Sequence, residues 1–257
     1  MAEQESEQLN QKGWVVITGA NGGIGQALVS CFQQQGYTVL ATDIAEQAKC
    51  KGHSVYISAD LAKTVEDEVY SENIFALIKG VVGKQGIFAL INNAAIQIMG
   101  GVNSLTRQDW QMTLNVNLVA PFFWTQALLP ELVTAKGCIV NISSIHARLT
   151  KKNFVAYATS KGALSAMTRA LAIDLGGRVR VNAIEPAAID TTMLRAGFEG
   201  NEAGIVQLGL FHPTQSIGKP EEVGKLTVLL VEGGMQFMNG AIVALDGGIG
   251  GCLYDPA

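Results

Sequence analysis

The stretch Trp14-Val-Val-Ile-Thr18, followed directly by Gly19-Ala-Asn-Gly-Gly-Ile-Gly25, decides the fold of this chain. Its first five residues are mostly apolar and β-branched, as in a buried strand. Residues 26 to 36 (QALVSCFQQQG) have the apolar pattern of a helix. Glycines allow a tight turn and a close approach of the backbone, and a helix N-terminus attracts a phosphate. A glycine cluster alone is a weak signal, but a strand, a glycine turn and a helix in this order predict a cradle for a pyrophosphate.

The next predicted strand, residues 37 to 43, ends in an acidic residue. Asp43 follows Gly25 at about the spacing expected for a carboxylate that binds the ribose of a dinucleotide. Such a carboxylate accepts hydrogen bonds from ribose hydroxyls and repels a 2′-phosphate. The neighbours Thr42 and Ile44 are uncharged, and so is Gly22 in the turn. We therefore expect NAD rather than NADP, with an ordinary turn residue at the strand end as the alternative.

A second stretch, residues 144 to 161 (SIHARLTKKNFVAYATSK), carries side chains that can do chemistry together. Tyr157 and Lys161 are one helical turn apart, so both side chains emerge on the same face. A nearby ammonium favours the phenolate and lowers the pKa of a tyrosine, which suits it to proton transfer. Ser144 follows the apolar run 138 to 143, where its hydroxyl can hold the same substrate oxygen. Taken alone, the Tyr–Lys spacing is more typical of an ordinary helix-surface pair.

Apolar strands alternate with helices along the rest of the chain. Strand-like runs lie at 87 to 91, 138 to 143, 178 to 184 and 241 to 245. Helices are predicted at 65 to 82 and at 106 to 135, the second interrupted near Pro121. This alternation predicts an α/β fold of Rossmann type, with a doubly wound parallel sheet of about seven strands and helices on both faces. We expect residues 1 to 12 to be a frayed lead-in, 13 to 257 to form one domain, and 187 to 218 to be a substrate lid, part helical.

Composition narrows the classes of partner. The chain of 257 residues is 48% hydrophobic and 16% charged, with a net charge of −4 and no basic block. This disfavours nucleic acid and anionic membranes as partners. No run is long enough to span a bilayer, and the polar N-terminus is unlike a secretory signal. The four cysteines and three histidines lack metal-ligand spacing, so we expect no metal and a reduced, cytoplasmic protein.

Together these motifs resemble the compact branch of the short-chain dehydrogenase/reductase family, over residues 13 to 250. The matching segments are Thr18 to Gly25, Asp60-Leu61, Asn92-Asn93-Ala94-Ala95, Asn117, the set Ser144, Tyr157 and Lys161, and Pro186 with Thr191. Ala95 and Ala187 depart from the family pattern by replacing glycines. The glycine turn also fits the spacing of the epimerase-type branch, but the chain length and the segment at Asn92 argue against that branch.

The resemblance implies hydride transfer between NAD and a substrate carbon that bears an alcohol or a ketone. Tyr157 is then the acid/base, Lys161 tunes it and holds the nicotinamide ribose, Ser144 orients the substrate oxygen and Asn117 positions a water. The implied cofactor-binding residues are Gly19, Asn21, Gly23, Ile24, Gly25, Asp43, Asp60, Leu61, Asn93, Tyr157, Lys161, Pro186 and Thr191. The resemblance also implies a homotetramer, or a dimer, built on the catalytic helix and the helix before it.

Residues that select the substrate are less clearly marked. The spacing of Gln97 and His146 partly resembles 3-hydroxybutyrate dehydrogenases, in which such residues bind a carboxylate, but Phe154 stands where those enzymes have a lysine. Glu185 precedes Pro186 at a strand end, where it would favour hydroxyls over anions. We expect a small polyol, sugar or hydroxy acid as substrate. Packing roles for Gln97 and His146 are equally consistent with the sequence.

Arg148 is either an anion ligand or an exposed side chain.

Two further alternatives concern the function of the whole protein, because a fold does not fix a function. They are a catalytically idle nucleotide-sensing regulator and a scaffold on the same fold.

Overall fold

The computed structural model describes residues 12 to 232 and 234 to 253. The predicted lead-in, residues 1 to 12, lies outside the described residues except for Lys12. The strands are β1 (Trp14–Thr18), β2 (Thr38–Asp43), β3 (Val55–Ser58), β4 (Ile87–Asn92), β5 (Cys138–Ile142), β6 (Arg180–Pro186) and β7 (Ile242–Leu245). They form one parallel sheet in the order β3-β2-β1-β4-β5-β6-β7.

Helices connect the strands and cover the sheet. They are α1 (Gly23–Gln34), α2 (Leu61–Glu66), α3 (Glu68–Val82), α4 (Arg107–Leu114), α5 (Ala120–Ala127), α6 (Leu129–Thr134), α7 (Val155–Leu175), α8 (Thr192–Ala196), α9 (Glu202–Leu210) and α10 (Pro220–Glu232). None of the described helices combines the length and the apolar character needed to cross a membrane.

Alternate residues of each strand enter two separate cores, one on each face of the sheet. Val15 and Ile17 pack in a core with Phe32 of α1 and Val223 of α10. Val16, between them, belongs to the other core, which is built from α3, α5 and α7. This alternation follows from the period of two of a β-strand. The predicted doubly wound α/β fold with seven strands and helices on both faces is therefore confirmed.

The strand order reverses between β1 and β4, and this reversal places the site. The chain runs outward from β1 to β3 and then returns to β4 on the other side of β1. Connections from these two strands therefore leave in opposite directions and open a crevice at their carboxyl ends. Ligands of doubly wound sheets bind at such a switch point.

Two helix predictions need correction. The helix expected at 65 to 82 is two helices, because Asp67 takes an extended conformation and caps α3 by accepting from the backbone N–H of Tyr70 at 2.9 Å. The helix expected at 106 to 135 does not break near Pro121. It passes through a π-helical segment at Asn115–Val119 and breaks at Leu128, directly before the α6 turn that contains Pro130. Proline is tolerated in the first turn of a helix, and Pro121 is the second residue of α5, directly after the π-helical segment.

The predicted lid contains the short helices α8 and α9. Its two ends meet in an isolated parallel bridge between Ile189 and Gly218. The backbone N–H of Asp190 donates to Gly218 at 2.9 Å, and that of Gly218 donates to Ala188 at 2.9 Å. The segment is thus a closed loop standing on the carboxyl ends of β6 and β7.

Candidate active site

A cavity of about 460 Å³ occupies the crevice at the carboxyl ends of β1 and β4. All the residues that the resemblance assigns to cofactor binding line its wall, from Gly19 to Thr191. So do Ser144, Tyr157 and Lys161 of the predicted catalytic set. Asn117, Gln97, His146 and Glu185 do not line it.

The glycine turn leaves no room for side chains. Gly19 has a φ of +65°, and a Cβ atom there would lie 2.6 Å from the Cα atom of Ala94. A Cβ atom on Gly25 would collide with the carbonyl oxygen of Gly19. Both positions require glycine, so the backbone forms an open cradle at the N-terminus of α1, which fits the pyrophosphate of a dinucleotide.

Asn93 holds this cradle against the end of β4. Its side-chain amide donates to the carbonyl oxygens of Thr18 and Gly19, at 2.9 and 3.0 Å. The hydroxyl of Thr18 accepts from the backbone N–H groups of Asn93 and Ala94, both at 3.0 Å. The motif Asn92 to Ala95 therefore fixes the turn on which the cofactor would rest.

Asp43 faces the cavity with its carboxylate already oriented. The backbone N–H of Asn21 donates to one carboxylate oxygen at 3.0 Å, and that of Ala45 donates to the other at 3.3 Å. Each oxygen has two lone-pair sites, so both can still accept from a ribose hydroxyl. The geometry fits the ribose of a dinucleotide.

The loop after β2 adds a cation that the sequence analysis overlooked. The side-chain oxygen of Asn21 accepts from the backbone N–H groups of Lys49 and Cys50, at 2.6 and 3.3 Å. This contact holds the loop beside Asp43, and Lys49 lines the cavity. Lys49 is six positions from Asp43 in an irregular loop, so no periodicity in the sequence could reveal its place.

Asp60 has a structural contact at the same end of the cavity. One of its carboxylate oxygens caps α2 by accepting from the N–H groups of Ala62 and Lys63, at 2.9 and 3.2 Å. Leu61 begins that helix, and both residues line the cavity. The pair thus forms a rigid wall.

Ser144 and Tyr157 meet at the other end of the cavity. Ser144 follows β5, Tyr157 lies in the first turn of α7, and both residues line the cavity. Both residues are buried. Burial raises the pKa of Tyr157, and the neighbouring Ser144 side chain opposes that rise.

Lys161 is 2% exposed, and its Nζ lies 5.8 Å from the centre of the Tyr157 ring. Burial lowers its pKa from 10.5 to about 7. Near neutral pH its ammonium is therefore only partly formed. The expected lowering of the Tyr157 pKa by Lys161 is not found, because desolvation dominates at both residues.

Asn117 lies in the π-helical segment and is completely buried. Its side-chain oxygen accepts from the backbone N–H of Ile96 at 2.9 Å, and its amide donates to the Ile96 carbonyl at 2.9 Å. The amide also donates to the hydroxyl of Ser160 in α7 at 3.0 Å. Asn117 thus ties the segment after β4 to the catalytic helix. π-Helical turns often occur at functional sites.

His146 packs on the catalytic tyrosine rather than on the cavity. Its ring stacks on Phe154 with centroids 4.4 Å apart and meets Tyr157 edge-on at 5.7 Å. Burial, with a smaller effect from Lys151, lowers its pKa to about 4. The ring is therefore neutral at pH 7 and offers no positive charge to a carboxylate. Gln97 is half-buried beyond the lining residues.

The structure does not bring Glu185 to the cavity wall, where the sequence analysis expected it to contact the substrate. Its carboxylate is 2% exposed and does not line the cavity. It accepts from Arg148 Nε at 2.6 Å and from the Ser165 hydroxyl at 2.8 Å. The strand end was predicted correctly, but the side chain points into the polar interior behind the site. The sequence left two roles open for Arg148, an anion ligand or an exposed side chain. In the structure its guanidinium forms an ion pair with Glu185.

Pro186 and Thr191 line the cavity where the lid begins. The Thr191 hydroxyl accepts from the backbone N–H of Leu194 at 3.2 Å and so caps α8. A Cβ atom on Gly23 would lie 2.9 Å from the methyl group of Thr191, so the glycine turn and the lid are in contact. Thr192 and Met193, which the sequence analysis did not single out, extend this wall.

Comparison with known protein families agrees with this geometry. Residues 19–250 match the family model described as Enoyl-(Acyl carrier protein) reductase. The chain is 32% identical to 3-oxoacyl-(acyl-carrier-protein) reductase of Thermotoga maritima, over 91% of this chain and 96% of the relative. It is 31% identical to meso-2,3-butanediol dehydrogenase of Serratia marcescens, over 91% and 93%.

Solved structures show the same likeness. Ligand-free aldohexose dehydrogenase of Thermoplasma acidophilum superposes with a TM-score of 0.88 at 30% identity, covering 96% of this chain and 97% of that one. A 4-hydroxyisoleucine dehydrogenase complexed with NADH superposes with a TM-score of 0.84 at 27% identity, covering 94% and 100%. A further neighbour, from Beutenbergia cavernae, carries NADP at a TM-score of 0.83 and 27% identity, covering 94% and 98%.

Proposed function

The chain belongs to the short-chain dehydrogenase/reductase family of oxidoreductases, and we propose that it is an NAD-dependent dehydrogenase of small hydroxylated substrates. One observation carries the proposal. The hydroxyl-bearing side chains of Ser144 and Tyr157 line the same cavity, together with the buried amine of Lys161. This arrangement suits proton exchange with an alcohol or carbonyl oxygen.

The residues present fit a nicotinamide dinucleotide. The glycine cradle would hold the pyrophosphate, Asp43 the adenosine ribose, and Pro186 and Thr191 the nicotinamide end. When bound, the nicotinamide ring supplies the acceptor or donor of a hydride. The chain supplies geometry and proton transfer.

In our mechanism Tyr157 moves the proton at the substrate oxygen. In the reducing direction its hydroxyl donates a proton to the carbonyl oxygen, and in the oxidising direction its phenolate removes one from the alcohol. Ser144 donates a hydrogen bond to the same oxygen and holds it in place. When its amine is protonated, Lys161 favours the phenolate form of Tyr157. Lys161 would also hold the nicotinamide ribose. Asn117 fixes the helix that carries Tyr157 through its bond to Ser160.

The proposed preference for NAD rests on Asp43. Its carboxylate is oriented for ribose hydroxyls and would repel a 2′-phosphate. Lys49 at the same end opposes this preference by offering a positive charge. We give Asp43 the larger weight because backbone amides hold its carboxylate in place, whereas Lys49 is an exposed side chain.

The proposed substrate is a polyol, a sugar or another small alcohol or ketone, with a hydroxy acid as the less favoured member of the class. The His146 ring beside Tyr157 is neutral at pH 7, and Phe154 stacks on it. Neither side chain provides the cation that a carboxylate requires. Similar proteins are dehydrogenases of meso-2,3-butanediol and of aldohexoses. An idle regulator or scaffold is not supported, because the serine, tyrosine and lysine are all in place.

The test is an assay of NADH absorbance with the purified protein. The substrates are a set of vicinal diols and polyols, a set of aldoses, a set of 3-hydroxy acids and a set of steroids. We expect the highest kcat/KM among diols, polyols or sugars. Highest activity on steroids would contradict the proposed pocket, and no turnover in any set would contradict the proposal that the protein is an enzyme.

We also propose that the protein is a cytoplasmic homotetramer.

A further inference from the structure

Glu185 is a buried carboxylate that contacts the elements carrying the catalytic residues. It is the penultimate residue of β6 and directly precedes Pro186 at the cavity wall. Arg148, four residues beyond Ser144, donates to one oxygen at 2.6 Å. Ser165, one helical turn beyond Lys161, donates to the other at 2.8 Å. One carboxylate therefore connects β6, the turn after β5 and helix α7.

A short chain of hydroxyls continues from this carboxylate to the active site. The hydroxyls of Ser165 and Ser143 lie 2.8 Å apart. Because Ser165 donates its one proton to Glu185, Ser143, the residue before Ser144, is the donor in this contact, and its oxygen also lies 3.0 Å from the carbonyl oxygen of Lys161. A shift of the carboxylate would therefore move the backbone that carries Ser144 and Lys161.

Arg148 closes the other side of this arrangement. Its Nη2 lies 3.6 Å from the carboxylate of Asp246, just after β7. A Cβ atom on Gly250 would lie 3.2 Å from the same nitrogen, so the turn after β7 packs closely over the guanidinium. The lid reaches this turn as well, because the backbone N–H of Thr214 donates to Gly247 at 3.2 Å. Arg148 thus contacts the turn after β7, and the lid is bonded to that same turn.

From these contacts we infer that Arg148 and Glu185 are positioning residues, which set the spacing between Ser144 and the Tyr157–Lys161 pair through the hydroxyls of Ser165 and Ser143. This inference rests on the proposed function. A carboxylate that is 2% exposed requires a counter-charge, and Arg148 is the cation that forms an ion pair with it among the described residues. Without Arg148 the carboxylate would turn toward water and pull Ser165 with it.

The experiment is a double-mutant cycle with Arg148→Met, Glu185→Gln and the combined variant. Steady-state kcat, KM and the primary isotope effect of 4-deuterated NADH are measured on the best ketone substrate. Arg148→Met should lower kcat about tenfold to a hundredfold, the scale of a misplacement of about 1 Å. NADH affinity, measured by fluorescence titration, should change less than threefold. The isotope effect should rise, because a misplaced proton donor makes the chemical step slower.

The combined variant should be no slower than Arg148→Met alone, because Glu185→Gln removes the unpaired charge. Arg148→Lys keeps a cation but not the planar fork, and should recover part of kcat. Lys12→Met is the matched control. It breaks an ion pair of 2.7 Å with Glu232 near the amino end of β1, and should leave all three parameters unchanged.

All assays are run well below the melting temperature of each variant, so that unfolding does not contribute. A kcat of Arg148→Met within twofold of wild type, or losses that multiply independently in the combined variant, would overturn the inference alone. Absence of turnover by the wild type with every substrate would overturn the proposed function, and the inference with it.

Discussion

The Nζ atom of Lys161 lies 2.8 Å from the carbonyl oxygen of Ile142, the last residue of β5. This contact binds the catalytic helix to the sheet at the point where Ser144 leaves it. The amine is buried, and desolvation lowers its pKa. Lys161 is thus poised to change its charge near pH 7.

We predict that this lysine makes stability depend on pH. Unfolding returns the pKa of Lys161 from about 7 to its ordinary value of 10.5. Between these values the unfolded chain binds more protons than the folded one, so folding becomes more favourable as pH rises. The free energy of unfolding of wild type, relative to Lys161→Met, should increase by about 2 kcal/mol between pH 7 and pH 9. Urea titrations at each pH measure it.

Lys152→Met is a suitable control, because Lys152 is exposed on the turn before α7. The free energy of unfolding of Lys152→Met should differ from that of wild type by the same amount at both pH values. If the free energy of unfolding of Lys161→Met changes with pH in parallel with that of wild type, the buried amine does not titrate in this window.

The sequence predicted most of what the backbone does at this site. The strand, glycine turn and helix at residues 14 to 34 follow from local pattern, and so does the helical spacing of Tyr157 and Lys161. Such features depend on neighbours in the chain, which a sequence displays directly. Most of the segments that line the cavity were therefore found from the sequence, but the loop that carries Lys49 was not.

Side-chain direction and desolvation were not predictable in the same way. Glu185 was placed correctly at the end of β6, but its carboxylate turns to Arg148, 37 residues earlier in the chain. The π-helical turn around Asn117 serves a contact with Ile96 that no local pattern shows. The pKa of Tyr157 rises because of burial, which depends on packing from several elements at once.

The choice of cofactor should depend on Asp43. Replacing Asp43 with Ala and Ile44 with Arg removes the repulsion of a 2′-phosphate and adds a cation at an exposed position. We expect the ratio of NADH to NADPH affinity to fall at least tenfold, about 1.4 kcal/mol. Fluorescence titration of both cofactors measures the ratio.

The variant Lys49→Met distinguishes the effect of Lys49 on cofactor binding from that of Asp43. It should weaken the binding of NADPH more than the binding of NADH, since only NADPH carries the 2′-phosphate. Tighter binding of NADPH than NADH by the wild type would show that Lys49, not Asp43, determines the preference.

Assembly should depend on apolar side chains exposed on the helices around the site. Phe122 and Phe123 of α5 are 39% and 37% exposed, and Val155 at the start of α7 is 40% exposed. Large exposed apolar patches mark interaction surfaces, and we expect these side chains to belong to one. Light scattering at micromolar concentration should give four times the chain mass of 27.2 kDa. Phe122→Glu with Phe123→Glu should lower that mass, whereas a wild-type monomer would contradict the assembly.

The measurement that bears most directly on the central claim is the turnover of Tyr157→Phe. The substitution removes one hydroxyl and keeps the ring that packs against His146 and Phe154. If Tyr157 transfers the proton, kcat should fall about 10²- to 10⁴-fold while NADH affinity stays near that of wild type. A purified, folded Tyr157→Phe variant with near-normal turnover would contradict the account.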